Sequence, residues 1–289
     1  MTKAMPVQDY TIDELMVTCM SRQIEDGELV GQGISTPLVA AGFLLAKLTH
    51  APNLAFASAI GQSICQNWAP LGVATIERLW IQQGLLSIDF VDIACDFLPR
   101  FSIKEFFRPG QVDAYGNFNN IHIGGSYEKP RLRLPGSGGI PDVSVTGHRN
   151  YLYVPRHGRH TFVEKLDFRS GIGHDASRIT GRGPHYLISD LGQFDFDPDS
   201  GRMRIMSLHP GIMLNRVVAK TAFEFVIPDD IAKTVPPSPE EISLLREVID
   251  PLGVRSLETL GGSKRRKKLI EILQAEAKLN ESITDRNLA

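Results

Sequence analysis

Two glycine-bearing stretches hold the residue types best suited to chemistry in this chain. The first runs Arg108-Pro109-Gly110-Gln111-Val112-Asp113-Ala114-Tyr115-Gly116-Asn117-Phe118-Asn119-Asn120, and the second is Gly136-Ser137-Gly138-Gly139. Glycine tolerates positive φ and lets a ligand come close to the backbone. Asn117 and Asn119 can bond their own backbone and also reach outward. Beside strands, such loops offer bare N–H groups to a developing negative charge. Glycines alone would equally describe two surface turns. The order favours a site: a turn, a polar Asn run, a Lys129-Pro130 corner, then the Gly-Ser-Gly-Gly loop.

Other candidates are weaker. Cys65, in Gln62-Ser63-Ile64-Cys65-Gln66-Asn67, offers a thiol nucleophile, although a lone cysteine is more often buried packing. Gly31-x-Gly33 lacks the third glycine of a dinucleotide fingerprint and the acid about twenty residues on. Asp89, Asp92 and Asp96 share a helical face and read as solvated. His157 and His160 have no third ligand nearby and read as a solvated basic turn. Asp195, Asp197 and Asp199 lack the glycine and terminal glutamate of a calcium loop and read as a hairpin turn. The basic run Lys264 to Lys268 reads as a solvated helix face, because the chain as a whole is not basic.

The elements that must position these residues follow from periodicity. Residues 1–8 read as a leader. Thr11-Ile12-Asp13-Glu14 forms a capping box for a helix that Gly27 stops. Glu28 to Gly31 reads as a strand, Pro37 to Thr49 as a helix with proline in its first turn, and Leu54 to Ser58 as a second strand. Strand, helix, strand gives a βαβ unit and hence a parallel sheet. Leu85 to Leu98 reads as a helix. Lys104 to Phe107, Asp142 to Thr146, Tyr151 to Val154, Thr161 to Phe168 and His185 to Asp190 read as strands. Phe194 to Phe196 and Arg202 to Met206 form an antiparallel hairpin. Pro236, Pro237 and Pro239 mark a linker, and Ser238 caps a helix with Glu240 and Glu241 in its first turn. The expected divisions are a leader at 1–8, an α/β domain at 9–235, and a linker with a helical tail at 236–289.

The 289 residues suffice for a large α/β core. A net charge of −2 gives no global pull toward nucleic acid or anionic membranes. Three widely spaced cysteines fit a reducing compartment, and there is no apolar run long enough to span a bilayer and no secretory signal, so the expectation is cytoplasmic.

The order of motifs resembles the β subunit of class I CoA-transferases, most closely the glutaconate CoA-transferase type. Gly110-Gln111-Val112-Asp113, Tyr115-Gly116-Asn117 and Gly136 to Gly139 carry the likeness, which runs from about Asp9 to Pro251. It implies an α/β fold with a mostly parallel open sheet and flanking helices, here with a β-hairpin region and a C-terminal helical tail. It also implies a coenzyme A thioester as substrate with no bound cofactor or metal, and a hetero-oligomer with an α-type subunit whose site lies between the two. Gly136, Ser137, Gly138 and Gly139 then form an oxyanion loop, while Gln111 and Asn117 shape the pocket or hold the loops. Aligning on Ala51-Pro52 and Gly61 puts Ala59 where that family has its catalytic glutamate. A methyl group cannot form the covalent intermediate of transfer. The run from Val163-Glu164 through Asp167 to Ser170-Gly171-Ile172-Gly173 is similar to a related branch of ring-opening CoA-thioester hydrolases. That branch takes its carboxylate from the α-type subunit, but tends to carry an arginine in the loop that is Gly136 to Gly139 here. The expected chemistry is therefore hydrolysis, C–C cleavage or decarboxylation of an acyl-CoA. Genuine transfer with an α-subunit nucleophile and a non-catalytic acyl-CoA-binding or scaffolding subunit are the alternatives.

Overall fold

The computed structural model describes residues 9–31, 33, 36–58, 61–73, 83–97, 100–145, 149–178 and 181–287. The chain forms two compact units. One comprises Met1–Asp89 with Pro236–Ala289, and the other Phe90–Val235.

The first unit opens with helix α1 (Ile12–Ser21). Glu14 Oε2 accepts from the Thr11 amide at 2.9 Å, so the expected capping box is present. The helix ends before Gly27. β1 (Leu29–Gly31), α2 (Pro37–Thr49) and β2 (Ala55–Ser58) form the expected βαβ unit, with β1 and β2 parallel. Leu15, Met16 and Met20 of α1 and Leu38, Phe43 and Leu45 of α2 are buried. β3 (Ser63–Cys65) and β4 (Leu86–Ser87) extend this sheet antiparallel. Leu85 and Ile88 donate to the Ile64 and Gln62 carbonyls at 2.7 and 2.9 Å, so the helix expected at Leu85 gives way to a ladder. Helix begins only at Phe90 and continues as a π-turn over Ile93–Phe97.

In the second unit β5 (Lys104–Phe107) runs parallel to β10 (Arg149–Val154), and β10 runs parallel to β11 (Tyr186–Ser189). Between β5 and β10 lie two small ribbons, β6 (Gln111–Val112) with β7 (Phe118–Asn119) and β8 (His122–Gly125) with β9 (Pro130–Arg133). Helix α3 (Ile140–Val145) follows the second ribbon. β12 (Gly192–Phe196) and β13 (Met203–Leu208) form the expected hairpin, followed by α4 (Leu214–Lys220) and β14 (Ala232–Lys233), which runs parallel to β13. Phe107, Phe118, Leu152, Phe162, Leu187, Phe194 and Ile205 make its core. Burial pushes the carboxyl of Glu105, on β5, up to about 7.

Two strand expectations fail here. Asp142 to Val145 belongs to α3, where Val143 packs into the core and Pro141 sits in the first turn. Thr161 to Phe168 forms no strand, and its one β-bridge among the described residues is the isolated Val112–Phe162 pair.

The chain then returns to the first unit. Helix α5 (Pro239–Ser243) starts at a Ser238 cap whose Oγ accepts from Glu241 N at 3.2 Å. A π-helix (Leu244–Ile249), a 3-10 turn (Val254–Glu258) and α6 (Gly262–Asn287) follow. Arg255 is buried and gathers three carboxylates. Its Nη2 donates to Glu14 Oε1 at 2.7 Å and its Nη1 to Asp250 Oδ2 at 2.8 Å. Its Nε faces Asp13 Oδ2 at 3.0 Å without hydrogen-bond geometry. Arg246 adds two bonds to Glu14. Burial acts to raise the Glu14 carboxyl, but Arg246, Thr11 and Arg255 together hold it down at about 2. No described helix is long and apolar enough to cross a membrane.

Candidate functional site

The turn between β6 and β7 is closed by Asp113. Its Oδ1 accepts from the amides of Tyr115 (2.9 Å) and Asn117 (3.0 Å), and its Oδ2 from Asn117 Nδ2 (2.9 Å). Asn117 Oδ1 in turn accepts from Gly173 N at 2.8 Å. Gln111 ties a different pair. Its Nε2 donates to Asp167 Oδ2 at 2.7 Å, and its Oε1 accepts from Asn119 Nδ2 at 2.7 Å and Asp167 N at 3.1 Å. The Asn120 amide donates to Ser170 Oγ at 2.9 Å. The two motifs distant in sequence, Gly110 to Asn120 and Asp167 to Gly173, are therefore one interlocked body. Gln111 and Asn117 take part in all of these bonds except those of the Tyr115 and Asn120 amides.

A side chain at Gly173 would collide with the Tyr115 carbonyl and the Asn117 amide, both backbone atoms. Gly173→Ala is therefore expected to cost at least about 2 kcal/mol. Urea unfolding measures it, and an unchanged midpoint would mean that the two motifs do not clamp each other.

This body positions the second glycine loop. Gly136 N donates to the Asn120 carbonyl at 3.0 Å, and Leu134 N to the Ile121 carbonyl at 3.0 Å. Gly136 (φ +110°) and Gly138 (φ +51°) occupy backbone regions that favour glycine, and the space around their α-carbons and that of Gly139 is open. Among the described residues, the N–H groups of Ser137, Gly138 and Gly139 donate to nothing. The loop leads straight into α3, with Val143 N bonded to the Gly139 carbonyl at 3.0 Å. Such a set of amides, outside a ladder and partly open to solvent, can receive an anionic oxygen.

Residues 92–220 match the family model described as Coenzyme A transferase. Over 260 residues the chain is 29% identical to the B subunit of 3-oxoadipate CoA-transferase from Pseudomonas knackmussii, covering 82% of this chain and 92% of that one. The chain is thus similar to CoA-transferase B subunits over most of its length. Over 263 residues it is also 29% identical to the cholesterol ring-cleaving hydrolase IpdB subunit of Mycobacterium tuberculosis, covering 84% of this chain and 95% of that one. The crystal structure of the decarboxylase AibA/AibB superposes with a TM-score of 0.74 at 28% identity, covering 86% of this chain and 98% of that one. CoA-transferase relatives of this chain thus carry names of both transfer and non-transfer reactions.

The remaining candidates are dispersed. Ala59 lies outside the described residues. Cys65 is buried on β3, its thiol directed at the carbonyls of Gln83 and Asn67 at 3.4 and 3.5 Å. Burial pushes that thiol up, the direction opposite to thiolate activation. His157 is no solvated turn. It is buried, stacked on Phe162 at 3.6 Å, with Nδ1 on Ser189 Oγ (2.9 Å) and Nε2 on Thr221 Oγ1 (3.0 Å). Both ring nitrogens are engaged, which excludes a ligand role for it as placed. Asp197 accepts from Ser200 N and Oγ, as a hairpin turn requires. Among the described residues no group of three His, Cys, Asp or Glu is placed to hold a metal ion. Sequence reading missed Arg178. A single basic residue in a Gly- and Arg-bearing segment gives no periodic signal, and only burial singles it out.

Proposed function

We propose that this chain is the β-type subunit of a two-chain enzyme acting on an acyl-CoA thioester without transferring the coenzyme. The thioester oxygen would lie against the N–H groups of Ser137, Gly138 and Gly139, which are fixed by Gly136 on Asn120 and need no reorganisation as charge develops. The non-transfer reading is carried by the sequence alignment on Ala51-Pro52 and Gly61, which would put Ala59 where the resemblance implies the nucleophilic glutamate. Without a carboxylate there, the anhydride and glutamyl thioester of transfer have no carrier in this chain. Cys65, held neutral by burial, stays outside the chemistry. An α-type partner would supply the carboxylate. The 3-oxoadipate relative, named as one of its enzyme's subunits, and the two-part name AibA/AibB favour such pairing. Coenzyme A enters only as substrate, and the cysteine usage favours a cytoplasmic setting.

A second reading, genuine transfer with an α-subunit nucleophile, is favoured by the loop Gly136 to Gly139, which keeps the transferase pattern, and by the 3-oxoadipate relative. Mass spectrometry of the two-chain complex with a panel of acyl-CoAs and isotope-labelled acetate decides between them. Gain of water or loss of carbon dioxide without an acceptor is the expected result. Label emerging as acetyl-CoA would overturn the non-transfer reading.

A further inference from the structure

Arg178 is the one described residue with two buried guanidinium nitrogens, Nε and Nη2, that meet no hydrogen-bond partner and no carboxylate. These two N–H groups form the side-on edge with which arginine grips a carboxylate or phosphate by two parallel bonds. The third nitrogen, Nη1, donates to the Ile172 carbonyl at 3.2 Å and fixes the edge in place. The nearest acid in sequence, Asp175, is committed elsewhere. Its Oδ1 accepts from Ser177 N and Oγ at 2.8 and 2.6 Å, and its Oδ2 from Arg169 at 2.8 Å. Burying an unpaired guanidinium edge is costly, so a group that completes it is expected.

Its location ties it to the glycine loop. Ile172 N donates to Ser144 Oγ at 3.2 Å, and Ser144 sits on α3, the helix into which Gly139 leads. Ser144 lies about 7 Å along the axis from Gly139, from the ~1.5 Å rise per residue. Ile172 is also flanked by Gly171 and Gly173, which pack on Phe118 and on the Asp113 turn. Arg178 is thus held by the same interlocked body that positions the loop.

We propose that Arg178 is an anion anchor of the acyl-CoA site, its Nε/Nη2 edge receiving two oxygens of the carboxylate at the far end of the acyl chain. This rests on the acyl-CoA reading above for the identity of the ligand, but not for the existence of the anchor. Burial lowers the Arg178 pKa with no acid opposing it, as an empty edge would show. A coenzyme phosphate has the same oxyanion chemistry, and the two sources are separable.

The full-length chain is titrated while the Nε–H resonance of Arg178 is followed by NMR, assigned by its loss in Arg178→Lys. The probes are glutarate, inorganic phosphate, coenzyme A, glutaryl-CoA and valeryl-CoA. The expected result is a saturating shift with glutarate and glutaryl-CoA and none with coenzyme A or valeryl-CoA. A shift of equal size with coenzyme A and both esters would keep the anchor and assign the anion to the coenzyme. Calorimetry should show Arg178→Met binding glutaryl-CoA ~tenfold or more weakly, as expected for a lost charge-assisted pair, with valeryl-CoA unchanged. If no anion moves the resonance, the proposal is overturned whatever the esters do. A response to glutarate with no ester binding leaves the anchor standing and removes the acyl-CoA reading instead.

Discussion

Replacing Arg255 with alanine is expected to cost the chain about 3–5 kcal/mol, the range found when one partner of a buried ionic cluster is removed. Asp13, Glu14 and Asp250 converge on this one guanidinium, and all four residues are buried. Arg246 still holds Glu14 in the variant, but among the described residues Asp250 has no other arginine. Burial already raises the Asp250 carboxyl, against the pull of Arg255 and of the Val254 and Arg255 amides. Without the guanidinium, Asp250 must bind a proton or remain as an uncompensated charge. Adding Asp250→Asn to the variant should therefore recover part of the loss. Urea unfolding at neutral pH measures both. A loss below about 1 kcal/mol would mean that the cluster behaves as a surface ion pair already shared with water.

Acid should weaken the second unit through His157. Burial, and then the charge of Lys220, lowers its pKa from the ordinary 6.5 to about 3. Thr221 Oγ1 donates to the Val217 carbonyl at 2.9 Å, so it accepts from His157 Nε2–H, and Nδ1 accepts from Ser189 Oγ. A neutral ring completes this network, and a second proton on Nδ1 would force the Ser189 hydroxyl to turn its hydrogen to the Gly192 carbonyl, 3.5 Å away, while the ring's charge stays buried. The unfolded chain takes up its proton near pH 6.5 and the folded chain only near 3. Stability from this group is thus complete above 6.5 and is lost as pH falls toward 3. By pH 4.5 the loss is about 3 kcal/mol. His209, lowered to about 4 by burial and bonded to Thr234 and the Ser189 carbonyl, acts in the same direction. His157→Gln should be less stable than the parent at pH 7.5 yet lose less on acidification. Parallel pH slopes for the two proteins would remove His157 as the cause.

Local rules exposed much of this architecture in the sequence. Pro37 at a first helical turn marked the start of α2, and the strand read at Lys104 to Phe107 coincides with β5. The glycine loops were visible because nothing but turn chemistry explains their composition. What failed depended on distant partners. Valine alternation at Asp142 to Val145 suits a strand, yet its core contacts come once per helical turn. Phe162 and Asp167 look like strand residues, but one packs beneath His157 and the other serves Gln111. The burial of His157 and the unpaired edge of Arg178 have no local signature at all, since each arises where several segments meet.

The unit that Arg255 helps to close is built from the two ends of the chain, with residues 90–235 between them. Arg255 and Glu14 are 241 positions apart. On a ribosome making ~5–20 residues per second, the 241 positions between them take roughly 12–48 s to be made. Throughout that delay Asp13 and Glu14 lack their guanidinium and α1 lacks its closing segment, while residues 90–235 emerge as one uninterrupted stretch. Synthesis order therefore favours the inserted unit maturing first. The nascent amino-terminal segment is left as the part in need of shielding by chaperones.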